Sequence, residues 1–179
     1  MGKLYVGWAE ESIIPEKKAS LAGQFIERIS DHVESDITVT ALAIDADGKQ
    51  MILASLDVVG FAEAQIEIAR EKLAALTNEI DPRNLIVCVT HTHTSLVMAS
   101  SLNPNDVKVG FAEKKKILNE FLPAGKEYTP NVTADDTVCS PLEALELVTD
   151  KIALAAKKAW ENRKEALYTN EFGRAAVGM

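Results

Sequence analysis

Apolar and polar positions follow two different periods along the chain, and the switches between them mark the elements. Lys3 to Ala9 reads as a short strand that ends in the polar pair Glu10-Glu11. Residues 12–35 hold no period, with Pro15 and Gly23 among mixed apolar and charged side chains. Asp36 to Asp45 (DITVTALAID) is then rich in β-branched residues, and Lys49 to Val59 (KQMILASLDVV) is a second apolar run. Between them stands Ala46-Asp47-Gly48. A glycine after Asp supplies the positive φ of a tight turn, which predicts a β-hairpin. Ala62, Ile66, Ala69, Leu73 and Leu76 follow at the spacing of one helical face, so a helix comes next.

Pro82 closes that connection, and Asn84 to Thr90 (NLIVCVT) is apolar on both faces, the pattern of a central strand covered on both sides. From Leu96 to Val138 no period lasts: Pro104, Pro123, Gly125 and Pro130 break it, and only Phe111 to Leu122 has room for a short helix. Irregular stretches of this length are uncommon in compact domains unless they serve a site. Residues 96–138 are therefore expected to be an insertion bordering one. Ser140-Pro141-Leu142-Glu143 is a capping box with proline at the first helical position. The helix it opens should run to about Glu165, with Leu145, Val148, Ile152, Ala155, Ala156 and Ala159 on one face. Leu167 to Val177 reads as a last strand. A hairpin followed by a βαβαβ order predicts an α/β fold, a layered mixed β-sheet with covering helices, in one domain spanning 1–179.

Composition narrows the function. With 179 residues, 47% hydrophobic and 26% charged, the chain is neither disordered nor collagen-like. It is too short for a (β/α)₈ barrel, which needs about 250 residues. The net charge of −8 and a pI near 4.9 argue against nucleic acid and against an anionic membrane surface as partners. No apolar run reaches the ~20 residues of a membrane span. Met1 to Trp8 lacks a basic-then-apolar leader pattern, and Val6 stands where a myristoylation motif wants Ser or Thr. Cys88 and Cys139 have no C-x-x-C spacing and read as reduced thiols, so a cytoplasmic protein is expected.

The chemistry concentrates in Val89-Thr90-His91-Thr92-His93-Thr94-Ser95, where the chain leaves the apolar strand. This places two of only 3 histidines together, flanked by hydroxyls. Residues i and i+2 of an extended chain point the same way, with Cα atoms about 6.5–7 Å apart, so two leaning imidazoles can converge on one metal ion. Strand C-termini are also the usual ligand crevice of open α/β sheets. An H-x-H-x-D-H site is excluded because Thr94-Ser95-Leu96 supplies no Asp-His pair. H-E-x-x-H spacing is absent too, and the barrel of the amidohydrolases does not fit the length.

These residues resemble the N-terminal part of the neutral/alkaline (non-lysosomal) ceramidase family. Val89-Thr90-His91-Thr92-His93 is similar to that family's T-H-T-H-S-G-P-G region. Val6-Gly7-Trp8-Ala9-Glu10-Glu11-Ser12-Ile13-Ile14-Pro15 resembles its G-x-A-x-x-D-I-T-P opening. Asp57 matches a strand-end Asp, and Phe172 to Gly178 is similar to its G-R-x-x-V-G strand. Ser12 and Ile14 replace the Asp and Thr of the opening, and Thr94-Ser95-Leu96-Val97 replaces S-G-P-G, so the glycine loop that admits substrate closely is missing.

The resemblance implies a zinc-dependent hydrolase of N-acyl amides, with a small-molecule or lipid-like substrate. His91 would be a zinc ligand and His93 a neighbouring acid/base group. The family's further His, Glu and Tyr ligands come from later sequence, so the site is incomplete within this chain. Asp57 reads either as a carboxylate that orients an imidazole or as a cap on the following helix. His32, Arg174, Lys114-Lys115-Lys116 and Lys157-Lys158 read as surface residues. The end at Gly178-Met179, apolar and without a polar tail, is expected of a chain cut from a longer enzyme. The alternatives are a truncated, non-catalytic domain that binds or oligomerises through its exposed terminal strand, and a metal hydrolase of other specificity completed across a homodimer.

Overall fold

A computed structural model describes residues 2–24, 27–103, 115–125 and 135–174. Its main sheet has five strands in the order β5-β4-β3-β1-β7: β1 (Leu4–Ser12), β3 (Thr38–Ala46), β4 (Lys49–Leu56), β5 (Leu85–Val89) and β7 (Lys164–Glu165). β1, β3 and β4 pair antiparallel, whereas β4 and β5 run parallel, so the sheet is mixed as the element order predicts. A parallel neighbour requires a crossover, and helix α1 (Glu63–Leu76) supplies it. A second, two-stranded ladder joins β2 (Lys18–Ala19) to β6 (Val138–Cys139), tying the loop after β1 to the start of helix α2 (Pro141–Glu161).

The hairpin forms where the sequence places it. Asp47 (φ 51°) and Gly48 (φ 80°) both take the left-handed backbone of a two-residue turn, and the Asp45 carboxylate accepts the Gly48 N–H at 3.0 Å. The capping box of α2 also forms: Ser140 Oγ accepts from Glu143 N at 3.2 Å, and Glu143 Oε2 accepts from Ser140 N at 2.7 Å. All six residues predicted for its inner face are fully buried. Val148, Ile152, Ala155, Ala156 and Ala159 meet Val39, Ala41, Ala43, Ile52, Ala54 and Leu56, the alternate residues of β3 and β4, in one core cluster. The helix comes close because the sheet is small-sided beneath it: a Cβ on Gly7 would lie 2.4 Å from the Ala159 carbonyl oxygen.

Four expectations are corrected. Among the described residues β5 is an edge strand, with Ile86 49% exposed and Cys88 and Val89 also open to solvent; no described layer covers one face of its two-sided apolar pattern. Among the described residues the last strand is the two-residue β7, paired at Tyr5↔Glu165 and Val6↔Lys164; 167–174 is not strand, with Leu167, Tyr168 and Phe172 exposed, and 175–177 of the expected strand lie outside the described residues. Helix α2 ends at Glu161, where Asn162 caps it. In α1 the buried stripe is Gln65, Ala69 and Leu73, and Leu76 is exposed, because Gln65 turns inward to donate to the Ala99 carbonyl at 2.6 Å. Of the predicted 111–122 helix, 115–119 is helical and 111–114 lies outside the described residues, as do parts of the 96–138 insertion. Both cysteines are free thiols. No helix among the described residues is long and apolar enough to cross a membrane.

Candidate metal and acid–base site

β5 delivers the histidines to the crest of the sheet but does not orient them. Its ladder stops at Val89, and Thr90 and His91 continue by donating their N–H groups to Leu56 O (3.0 Å) and Val58 O (3.1 Å). His91 then turns into left-handed backbone (φ 62°), a conformation uncommon for a residue with a side chain and frequent at functional sites. Strand alternation therefore does not bring the pair together, as the i, i+2 spacing suggested. This local turn does: the two rings meet edge-on, with centroids 5.1 Å apart and planes at 75°.

The His91 ring is fixed by Val59. Its Nδ1 lies 2.5 Å from the Val59 carbonyl oxygen. A carbonyl can only accept, so Nδ1 carries the proton in this contact, and in the neutral ring the lone pair is then on Nε2. A metal-binding histidine takes this form, its second nitrogen held by a backbone or carboxylate acceptor.

His93 is held by its backbone and its ring face. Arg28 donates from Nη2 to the His93 carbonyl (2.5 Å) and to the Ala22 carbonyl (3.0 Å), clamping two loops together. Ala22 N also donates to Ser95 O (2.8 Å), and Val97 N to Ser20 O (2.9 Å). The clamp presses Gly23 (φ 91°) against the imidazole, where a Cβ would lie 2.4 Å from His93 Cγ. Nothing in the sequence signals Gly23 or Arg28, because both lie in the period-free segment 12–35 and act through contacts distant in sequence. Thr92 and Thr94 share a hydroxyl hydrogen bond at 3.0 Å, and Ser95 is fully buried with no partner for its Oγ among the described residues.

Asp57 stands beside the pair without touching either ring in a hydrogen bond. Oδ2 accepts from Thr38 N (3.0 Å) and Oδ1 from Thr90 Oγ1 (3.0 Å), which fixes the residue preceding His91. It does not cap α1, whose N-cap is Ala62. His32 lies apart from the pair on an exposed loop, 3.6 Å from Asp31. It borders a cavity of about 580 Å³ whose apolar wall includes Ile14, Leu21, Ile29 and Val33, and which Arg28 and Thr94 also line. The cavity thus adjoins the segment that carries His93.

Zinc accepts imidazole nitrogen in tetrahedral sets, and the free Nε2 of His91 suits that role. Among the described residues no group of three His, Cys, Asp or Glu side chains gathers around a common point. The described residues thus offer His91 as one candidate ligand and do not by themselves form a zinc set.

No protein-family model and no curated protein sequence matches the chain. Two solved structures do resemble it: a neutral ceramidase from Pseudomonas aeruginosa (13% identity, TM-score 0.65) and a ceramidase complexed with C2 (12% identity, TM-score 0.60). Each alignment covers 92% of this chain and 22% of the other, so the chain spans about a fifth of the length of these relatives. At such identities the likeness is one of fold, and the fold of this chain is ceramidase-like.

Proposed function

We propose that this domain contributes the first part of a zinc-dependent hydrolase site for N-acyl amides. The observation that supports it most is the contact of His91 Nδ1 with Val59 O, which in the neutral ring leaves Nε2 to face a metal. In this reading His91 and its further partners hold the ion, and His93, in ring contact, moves a proton between water and the departing amine. When bound, zinc supplies Lewis acidity toward the carbonyl and acidifies water. Asp57 is a positioning residue that acts through Thr90. The apolar cavity beside Thr94 receives the acyl chain, and its volume is within the usual range for small-ligand pockets. The ceramidase fold of the structural neighbours supports this substrate class.

Zinc titration of the chain by calorimetry tests the reading. The chain should bind zinc, and His91→Ala should weaken binding by more than about 100-fold while His32→Ala leaves it unchanged. Equal affinity in the wild type and His91→Ala would remove His91 from the ligand set.

A further inference from the structure

The side of the main sheet turned away from α1 and α2 is apolar. Alternate residues of each strand point to it, and the register lines them up in rows. Trp8, Leu42, Leu53 and Ile86 form one row across β1, β3, β4 and β5. Val6, Ile44 and Met51 form the next. Trp8 is 69% exposed and Ile86 49%, so among the described residues no layer covers this face, whereas the opposite face is sealed. Beside Trp8 the face continues into a groove of about 730 Å³ bounded by Val6, Lys164 and Leu167. A contiguous apolar area of this kind on a folded domain marks an interaction surface rather than scattered exposure.

We propose that this face is a two-fold interface between two copies of the chain, stacked sheet on sheet. The charges at its margins are self-complementary. Glu10 lies one row beyond Trp8 at one end; toward the other, Lys164 stands in the Val6 row and Lys49 one row beyond it. A two-fold axis lying between the sheets and across the strands reverses strand direction, which brings the Glu10 end of each copy to the lysine end of its partner. The same operation packs the Trp8 row of one copy on the Val6 row of the other. Twisted sheets stack this way at about 30° and about 10 Å apart. The 33 residues of the five strands, at about 4.8 Å between strands and about 3.4 Å along them, give a face of roughly 540 Å² in projection. Two such faces hide about 1,100 Å², close to the roughly 1,200 Å² lower bound of stable interfaces.

Sedimentation equilibrium of the full chain tests this. A concentration-dependent mass rising from 19.5 kDa toward twice that value is expected, with a blue shift of Trp8 emission that Trp160→Phe retains. Trp8→Lys should raise the dissociation constant by about tenfold or more. Since a surface variant can also disturb folding, the charge reversal is decisive. Glu10→Lys should weaken the dimer, and adding Lys49→Glu and Lys164→Glu in the same chain should restore it. A wild type that sediments as a monomer across the micromolar range overturns the proposal. So does a dimer indifferent to Trp8→Lys and to the charge reversals.

Discussion

The helix-covered face of the sheet and the crest that carries the histidines are held together by different physics. On the covered face, residues with 2.0 and 3.6 periodicity bury one another, and α2 lays ten non-proline side chains into the core without an ionised group among them. Its buried hydroxyl, Thr149, is satisfied within the helix by Leu145 O at 2.7 Å. On the crest the apolar contribution is small and position comes from directional bonds: Val59 O to the His91 ring, the Arg28 fork, and Asp57 between Thr38 and Thr90. Burial is non-directional and tolerates small shifts, whereas a hydrogen bond to a ring nitrogen fixes an angle. The covered face should therefore set stability and the crest should set geometry, so substitutions in the two regions should have separable effects.

The largest effect is expected in the covered face. Ile152 is fully buried between α2 and the sheet, so Ile152→Ala removes its transfer energy and leaves a cavity. Urea denaturation should show a loss of about 2–5 kcal/mol. Under folding conditions the imidazole resonances of His91 and His93 should stay where they are in the wild type. If they move, the two regions are mechanically one and the comparison fails.

A smaller cost with the opposite signature is expected on the crest. Gly23→Ala places a methyl group where the His93 ring now sits, on backbone at φ 91° that disfavours any side chain. The strain should cost about 1–3 kcal/mol. Unlike Ile152→Ala, this change should shift the His93 ring signals and break its contact with His91, and it should lower zinc affinity by about tenfold. Unperturbed imidazole spectra in a folded Gly23→Ala protein would show that the glycine does not shape the site.

The same division explains what the sequence made legible. The hairpin, the capping box and the inner face of α2 follow from local signals, namely a two-residue turn, a Ser-Pro-x-Glu start and a regular apolar spacing. Those signals are physical causes of the elements themselves, so they were readable without the fold. The histidine pair was legible as a composition anomaly, but its geometry was not. His91 is held by Val58 and Val59, 32 residues away at the ring contact, and the approach of Gly23 to His93 joins segments about 70 residues apart in order. β5 shows the limit from the other side. Its two apolar faces are real, but a pattern records that a residue favours burial and does not say which layer will bury it, so an edge strand read as a central one. The described part of the expected terminal strand, 167–174, forms none for the related reason that an apolar run needs a ladder partner, and β1 pairs only through Tyr5 and Val6, with β7.

The smallest effect tests the seam between the two regions. Glu143 caps α2 and also accepts from Lys17 Nζ at 2.7 Å, on the loop that leads toward the crest. The Lys17 ammonium, and then the Ser140 N–H and hydroxyl, hold its carboxyl down at about 2, against 4.5 ordinarily. A carboxylate with a depressed folded value contributes stability that is fully present above its ordinary value and lost as pH falls toward the folded one. The contribution should therefore disappear between about pH 4.5 and 2, and because Lys17 and Glu143 are well exposed, added salt should shrink the Lys17 share. Glu143→Gln keeps the capping geometry and removes the charge, so its denaturation midpoint should fall less steeply with acid than the wild type's. A residual acid slope should remain from Glu11, where burial opposes ionisation but Lys158 and Lys151 more than offset it and hold the carboxyl below its ordinary value. Ser140→Ala, which removes the cap itself, should cost about 1 kcal/mol at neutral pH. If Glu143→Gln and the wild type lose stability in parallel below pH 4.5, the pairing with Lys17 carries no energy. The seam between loop and helix would then rest on the β2–β6 ladder alone.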